Sequence, residues 1–269
     1  MTTILGIDVF IWTDHPHPRQ RARMSAALRE CYLRLLSYTV VRGFLVCGNP
    51  TGEHLAGLGI ARNKIFNFPY WVEVPNEWSF PNGSQATSDK PLRLIGVGRH
   101  VSVKGFDIAI EAVALANHGK IQPMATLELV GDGPERRNLE TLAKSLGVSD
   151  AISFTNWLSN ESVYSRMRAA DALVVPSRFE GYSVVVLEAL ANGRPVLASN
   201  RVVAALDRDD GSKAIQFHSV SRSDQLSEQI VALANSREDL KKYSRSARRI
   251  AELWKPNRAS ELIAKLIRT

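Results

Sequence analysis

The chain lacks the features that would mark it as membrane-spanning, secreted or metal-bound. No apolar run among its 269 residues approaches the ~18–20 needed to cross a bilayer. The opening stretch MTTILGIDVFIWTDHPHPRQ has neither the basic-then-apolar layout nor the small-residue cleavage site of a signal peptide. Only two cysteines occur, Cys31 and Cys47, both in apolar surroundings and without metal or redox spacing. They are expected to be buried thiols in a reducing cytoplasm. No carboxylate cluster indicates a metal, and no low-complexity tract is present.

What the chain does have is an ordinary 45% hydrophobic content and a net charge of +7. A basic balance suits nucleic acid, anionic lipid or a phosphorylated substrate, or is a solvated surface. Its densest cluster is Arg19, Arg21, Arg23, Arg29 and Arg34, interleaved with Met24, Leu28, Cys31, Tyr32 and Leu35 at helical spacing. This pattern fits peripheral membrane contact. It also fits a packed helix with an arginine-rich outer face, the slightly favoured reading.

From residue 90 onward a rhythm sets in. Apolar runs at Leu92–Gly98, Leu127–Gly131, Ile152–Trp157, Ala172–Pro176, Pro195–Ser199 and Ala214–Phe217 alternate with helical patterns. Those patterns fall near Phe106–Asn117, Glu135–Leu146, Glu161–Ala170, Val184–Asn192 and Gln225–Asn235. Such alternation predicts a parallel α/β sheet covered on both faces. The Pro-, Asn- and Ser-rich VEVPNEWSFPNGSQATSDKP upstream reads as a linker. Before it only about three strands are legible, fewer than the five or six of a doubly wound domain. The expected organisation is therefore a partial N-terminal α/β unit over 1–85, a complete Rossmann-like domain over 86–252, and a C-terminal helix over 253–269 that packs back toward the first unit.

In an open parallel sheet, ligands bind where strands lead into helices. Gly98-Arg99-His100-Val101-Ser102-Val103-Lys104-Gly105 offers glycine backbone, a following helix N-terminus and two cations suited to a diphosphate. His100 is expected to be a loop residue rather than a catalyst. In Gly131-Asp132-Gly133-Pro134 the turn explains itself structurally, and the glycines also allow close approach of a ligand. In SRFEGYSVVVLEALANGRPV, Ser177 to Val196, Glu180 faces the crevice and Glu188 lies about one turn into the next helix. A withdrawn carboxylate needs donors. A ribose diol suits Glu188, a second sugar's hydroxyls suit Glu180, and the amides of Gly181, Tyr182 and Ser183 can face an anion or hydroxyls.

These motifs, in order from Leu92 to Ser199, resemble the C-terminal half of retaining glycosyltransferases of family 4, of GT-B fold. The resemblance implies that Arg99 and Lys104 hold the donor diphosphate, with Gly98 and Gly131 beside it. It implies that Glu180 and Glu188 of the Glu-x7-Glu motif bind donor sugar and ribose, and that Trp157 and Leu158 flank the base. No metal or other cofactor is implied. Family members have a full N-terminal acceptor domain with a glycine-rich loop, absent here, and often a Gly-Gly-x-x-Glu-like segment where this chain reads NRVVAALDRDDG. Asp14 and His15 stand where many members carry an active-site His.

The leading expectation is transfer of a hexose from a UDP- or GDP-sugar to a saccharide or lipid-linked acceptor with retention, on the cytoplasmic side, without nucleic acid. The alternative is a nucleotide-sugar-binding module that is inactive until a partner chain supplies the missing N-terminal region. A sugar-nucleotide epimerase is a third reading, disfavoured by the Arg/Lys pair together with Glu-x7-Glu.

Overall fold

The structure is a computed structural model describing residues 9–13, 28, 31–36, 41–75 and 90–268. Residues 76–89 of the expected linker, Asp14, His15 and most of the arginine-rich segment lie outside the described residues.

Two parallel sheets organise the chain. The larger has six strands, β4 (Leu92–Val97), β5 (Ala125–Val130), β6 (Ile152–Thr155), β7 (Ala172–Val175), β8 (Val196–Ser199) and β9 (Ile215–His218), in the order β6-β5-β4-β7-β8-β9. Each is an apolar run because helices cover both faces. Every residue of β7 and β8 is buried. The covering helices are α2 (Phe106–Asn117), α3 (Arg136–Ser145), α4 (Asn160–Ala169), α5 (Val184–Ala191), α6 (Val203–Arg208), α7 (Ser223–Asn235) and α8 (Arg237–Glu252). Pro256 opens α9 (Pro256–Arg268), where a missing backbone N–H costs nothing. The Gly-Arg-Pro-Val sequence before β8 is also explained. Arg194 is fully buried, and its guanidinium donates to the Met167 and Arg168 carbonyls at 3.2 and 2.8 Å, capping the C-terminal turn of α4.

Among the described residues the smaller sheet has three strands, β1 (Val9–Thr13), β2 (Val41–Val46) and β3 (Ile65–Asn67), in the order β1-β2-β3, with α1 (Asn49–Gly57) between the last two. A helical stretch at 31–36 turns Leu33 and Leu36 toward the core around Phe44 and Leu55. Its other face therefore points outward. Leu28, Tyr32 and Leu35 are 68%, 59% and 61% exposed, and Cys31 is exposed as well. This corrects two expectations: Cys31 is not a buried thiol, and the apolar stripe is not the packed side of the helix. Cys47 is fully buried.

A polar seam joins the two sheets through α6, which occupies the departure NRVVAALDRDDG. Asp207 Oδ1 accepts from the Asn49 N–H at 3.4 Å and from Asn67 Nδ2 at 3.0 Å, so a side chain of one unit serves the N-terminus of α1 in the other. Its Oδ2 lies 3.4 Å from the Tyr182 hydroxyl and 3.2 Å from Arg208 Nη1. Arg208 in turn stacks over Trp254 at 3.4 Å, and Tyr182 packs on Tyr70 with ring centroids 5.4 Å apart.

Candidate active site

The strand order reverses between β4 and β7, and because all six strands are parallel, the loops leaving β4, β5, β6 and β7 rise from one edge of the sheet. That edge is where an open α/β sheet forms a crevice.

The loops after β4 and β7 meet there. Lys104 Nζ and Glu180 Oε2 lie 2.5 Å apart, and Ser177 Oγ donates to the same oxygen at 3.2 Å. Both charged side chains are mostly withdrawn from solvent, at 25% and 14% exposure. Arg178 staples the loops together. Its guanidinium pairs with Asp107 at 2.5 Å and donates to the Ser102 carbonyl at 2.7 Å, while its own N–H donates to the Val103 carbonyl at 2.8 Å. Gly105 makes this approach possible. It has φ 67°, and a Cβ there would sit 2.2 Å from the Pro176 carbonyl oxygen. Gly105 also caps α2 without any side-chain bond, and Asp107 in the first turn supplies that helix end with a carboxylate that Arg178 shares. Arg99 is exposed, and its side chain makes no ion pair or hydrogen bond among the described residues.

Glu188 lies in the middle of α5, half-buried, and burial pushes its carboxyl above the ordinary range. Tyr164, from the first half of α4, donates to Glu188 Oε1 at 3.1 Å. The protein supplies this carboxylate with one donor of its own. Glu180 and Glu188 thus lie on the same turn-and-helix unit in different settings, one held by a cation and a hydroxyl, the other by a phenol alone.

Around them, Trp157 stands 61% exposed on the loop after β6, and Leu158 packs partly against the core. Gly181 is partly accessible, whereas the Tyr182 side chain is only 8% exposed and turns into the seam. Ser183 is the cap residue of α5 and makes no side-chain cap bond. The β5 loop is explained structurally, as its turn residues predict. At Gly131, φ is 136° and a Cβ would sit 2.1 Å from the Gly98 carbonyl oxygen. Glycine there clears the neighbouring loop, and Gly133 does the same beneath the His100 carbonyl, with 2.4 Å to a hypothetical Cβ. Asp132 Oδ1 accepts from the Gly133 N–H at 2.7 Å, an ordinary turn contact. His100 is fully buried, edge-on to Phe106 and Phe154, and burial lowers its pKa, so it is a neutral packing residue of the loop.

Sequence reasoning missed Ser177, Arg178 and Tyr164. Arg178 and Tyr164 find partners 71 and 24 residues away, so no local pattern announces them. Ser177 sits three residues before Glu180, the one spacing that could have given it away. Among the described residues, no group of three His, Cys, Asp or Glu could hold a metal ion, and no helix is long and apolar enough to cross a membrane.

Comparison with known proteins agrees with this architecture. Lipopolysaccharide core biosynthesis glycosyltransferase LpsE of Rhizobium meliloti (strain 1021) is 38% identical over 171 residues, covering 62% of this chain and 47% of that protein. LpsD of the same strain is 40% identical over 106 residues, covering 39% of this chain and 29% of that protein. The matched stretch thus spans less than half the length of either relative. Among solved structures, Anabaena Alr3699/HepE in complex with UDP superimposes with a TM-score of 0.82 at 17% identity, over 97% of this chain and 72% of that one. This likeness gives the fold, a GT-B arrangement with Rossmann-like parallel sheets. Residues 82–250 match the family described as Glycosyl transferases group 1, and the chain belongs to that family.

Proposed function

We propose that the chain provides the donor half of a retaining hexosyltransferase, taking a UDP- or GDP-sugar and passing its hexose to a saccharide or lipid-linked acceptor. The observation that carries this reading is the meeting of Lys104 and Glu180 at the sheet's switch point, 2.5 Å apart, beside Arg99, which has no partner among the described residues, and the N-termini of α2 and α5. A diphosphate placed there meets two cations and two helix ends. During transfer, the bond from sugar C1 to the diphosphate oxygen breaks with its electrons on the phosphate. The acceptor oxygen bonds C1 on the same face, and its proton leaves on the departing phosphate. Arg99 and Lys104 stabilise the charge gathering on that leaving group by preorganised electrostatics. Glu180 steadies Lys104 and receives hydroxyls of the donor sugar, Glu188 takes the ribose diol, and Trp157 with Leu158 flanks the base. UDP is the favoured carrier because several similar structures were solved with it. A role in glycoconjugate assembly follows the names of LpsD and LpsE.

A second reading has its own observation. The three strands that the N-terminal sheet has among the described residues and the short span against the relatives fit a donor-binding module that needs further chain, its own or a partner's, to hold an acceptor. Peripheral contact with the cytoplasmic membrane face is supported by the outward stripe of Leu28, Tyr32 and Leu35 within the arginine-rich segment. Changing Arg21, Arg23 and Arg29 to Glu is expected to release the chain from anionic vesicles.

The deciding experiment is thermal unfolding of the purified chain with UDP, GDP, ADP and their common sugar conjugates, followed by NMR of any product's anomeric configuration. A ligand at ~100 times its dissociation constant adds about 2.7 kcal/mol of stability. A selective shift with α-configured product from an α-donor supports the transferase; a shift without transfer supports the module. No shift with any nucleotide overturns both.

A further inference from the structure

Resting on the donor-site reading above, we propose that Tyr164 is the positioning residue of the ribose-binding carboxylate, its phenol holding Glu188 Oε1 so that Oε2 is left to the ribose hydroxyls. Tyr164 Oη lies 3.1 Å from Glu188 Oε1. Oε2 has no protein partner among the described residues and is not sealed from solvent.

The two residues come from different helices. Glu188 stands on α5, whose start is fixed by the β7 turn, and Tyr164 stands on α4, whose first turn is fixed by Ser159 accepting from the Ser162 N–H at 3.3 Å. A glutamate side chain has three rotatable bonds and would otherwise be frozen only when the nucleotide arrives. The Tyr164 bond freezes it beforehand, the usual route by which preorganisation raises affinity. A phenol suits this task because it has a single hydrogen to give. It occupies one oxygen and cannot compete for the other. Burial and the nearby Glu188 charge both raise the Tyr164 pKa, so the hydroxyl remains a donor throughout the neutral range. No cation pairs with Glu188 among the described residues, so the carboxylate keeps its acceptor capacity for neutral donors such as sugar hydroxyls.

The test measures binding of UDP, GDP, ADP and CDP by calorimetry, and carries the tightest forward with its 2′,3′-dideoxy counterpart. The proteins are wild type, Tyr164→Phe, Glu188→Ala and the double variant. Phenylalanine keeps the ring and removes only the donor. Tyr164→Phe is expected to weaken the ribonucleotide about tenfold, to leave the dideoxynucleotide unchanged, and to add nothing in the Glu188→Ala background. A merely structural tie between α4 and α5 would instead lower the melting temperature of Tyr164→Phe and leave ribose discrimination intact, which overturns the proposal. If Glu188→Ala is weak but Tyr164→Phe binds normally, this inference alone fails. If Glu188→Ala binds normally, or no nucleotide binds wild type, the donor-site reading falls and takes this inference with it.

Discussion

Two carboxylates on neighbouring helices, Asp207 on α6 and Glu188 on α5, are both withdrawn from water, and the protein treats them oppositely. Asp207, 1% exposed at its side chain, sits where the two sheets join and is surrounded by donors: a backbone N–H, an asparagine amide, a tyrosine and an arginine. Glu188, at the crevice edge, has one phenol. A carboxylate used for cohesion has its acceptor sites filled by the chain itself. The one proposed to serve a ligand is left short of donors among the described residues, and the fold tolerates the shortfall. The rule behind the contrast is that buried polar groups must be satisfied by something.

Breaking the satisfied site should have the largest effect. Asp207→Ala leaves Arg208 buried without its anion and removes the acceptor at the start of α1. It should cost about 3–5 kcal/mol of stability, read as a lower urea midpoint. A loss under about 0.5 kcal/mol would erase the contrast. Next, Arg99→Ala should lower nucleoside diphosphate affinity about a hundredfold, as two charge-assisted bonds are lost, while nucleoside affinity and melting temperature hold, because Arg99 is exposed and has no partner among the described residues. Trp157→Ala should weaken nucleotide and nucleoside alike by roughly 1–3 kcal/mol if its ring stacks on the base, with stability unchanged at an exposed position.

The smallest effect sharpens the contrast by its sign. Burial raises the Glu188 pKa in the folded chain, so the unfolded chain gives up this proton more readily. The charge therefore subtracts from stability at neutral pH, and the penalty disappears as pH falls below the ordinary carboxyl value. Glu188→Gln should stabilise the free protein at pH 7.5 by less than about 1 kcal/mol, with no gain at pH 4, even as it weakens nucleotide binding. Unfolding midpoints at the two pH values check this. A loss of stability at pH 7.5 would mean Glu188 is held like Asp207 after all.

The larger sheet was legible because a parallel strand buried on both faces must be an apolar run, and Val174 or Leu197 can be nothing else. The α2 helix was legible to the residue, Phe106 to Asn117, as its apolar positions repeat cleanly. The α6 helix was not, being only six residues long and lying where the family resemblance lapses. Cys31 misled because its apolar neighbours Leu28, Tyr32 and Leu35 suggested a core, when Leu33 and Leu36 make the packed face. At the crevice, charged residues near glycines were visible as candidates. Their partners were not: Tyr164 for Glu188 and Arg178 for Asp107 are matched by folding, not by spacing.

The interlocked glycines have a practical consequence for anyone wishing to retarget this crevice. Gly98, Gly105, Gly131 and Gly133 belong to loops whose backbones touch one another, so randomising Gly105, Gly131 or Gly133 would spend a library on chains that cannot close the floor. Diversity placed at Trp157 and Leu158 would leave that floor unchanged, and on the proposed function it is there that a search for altered donor preference should begin.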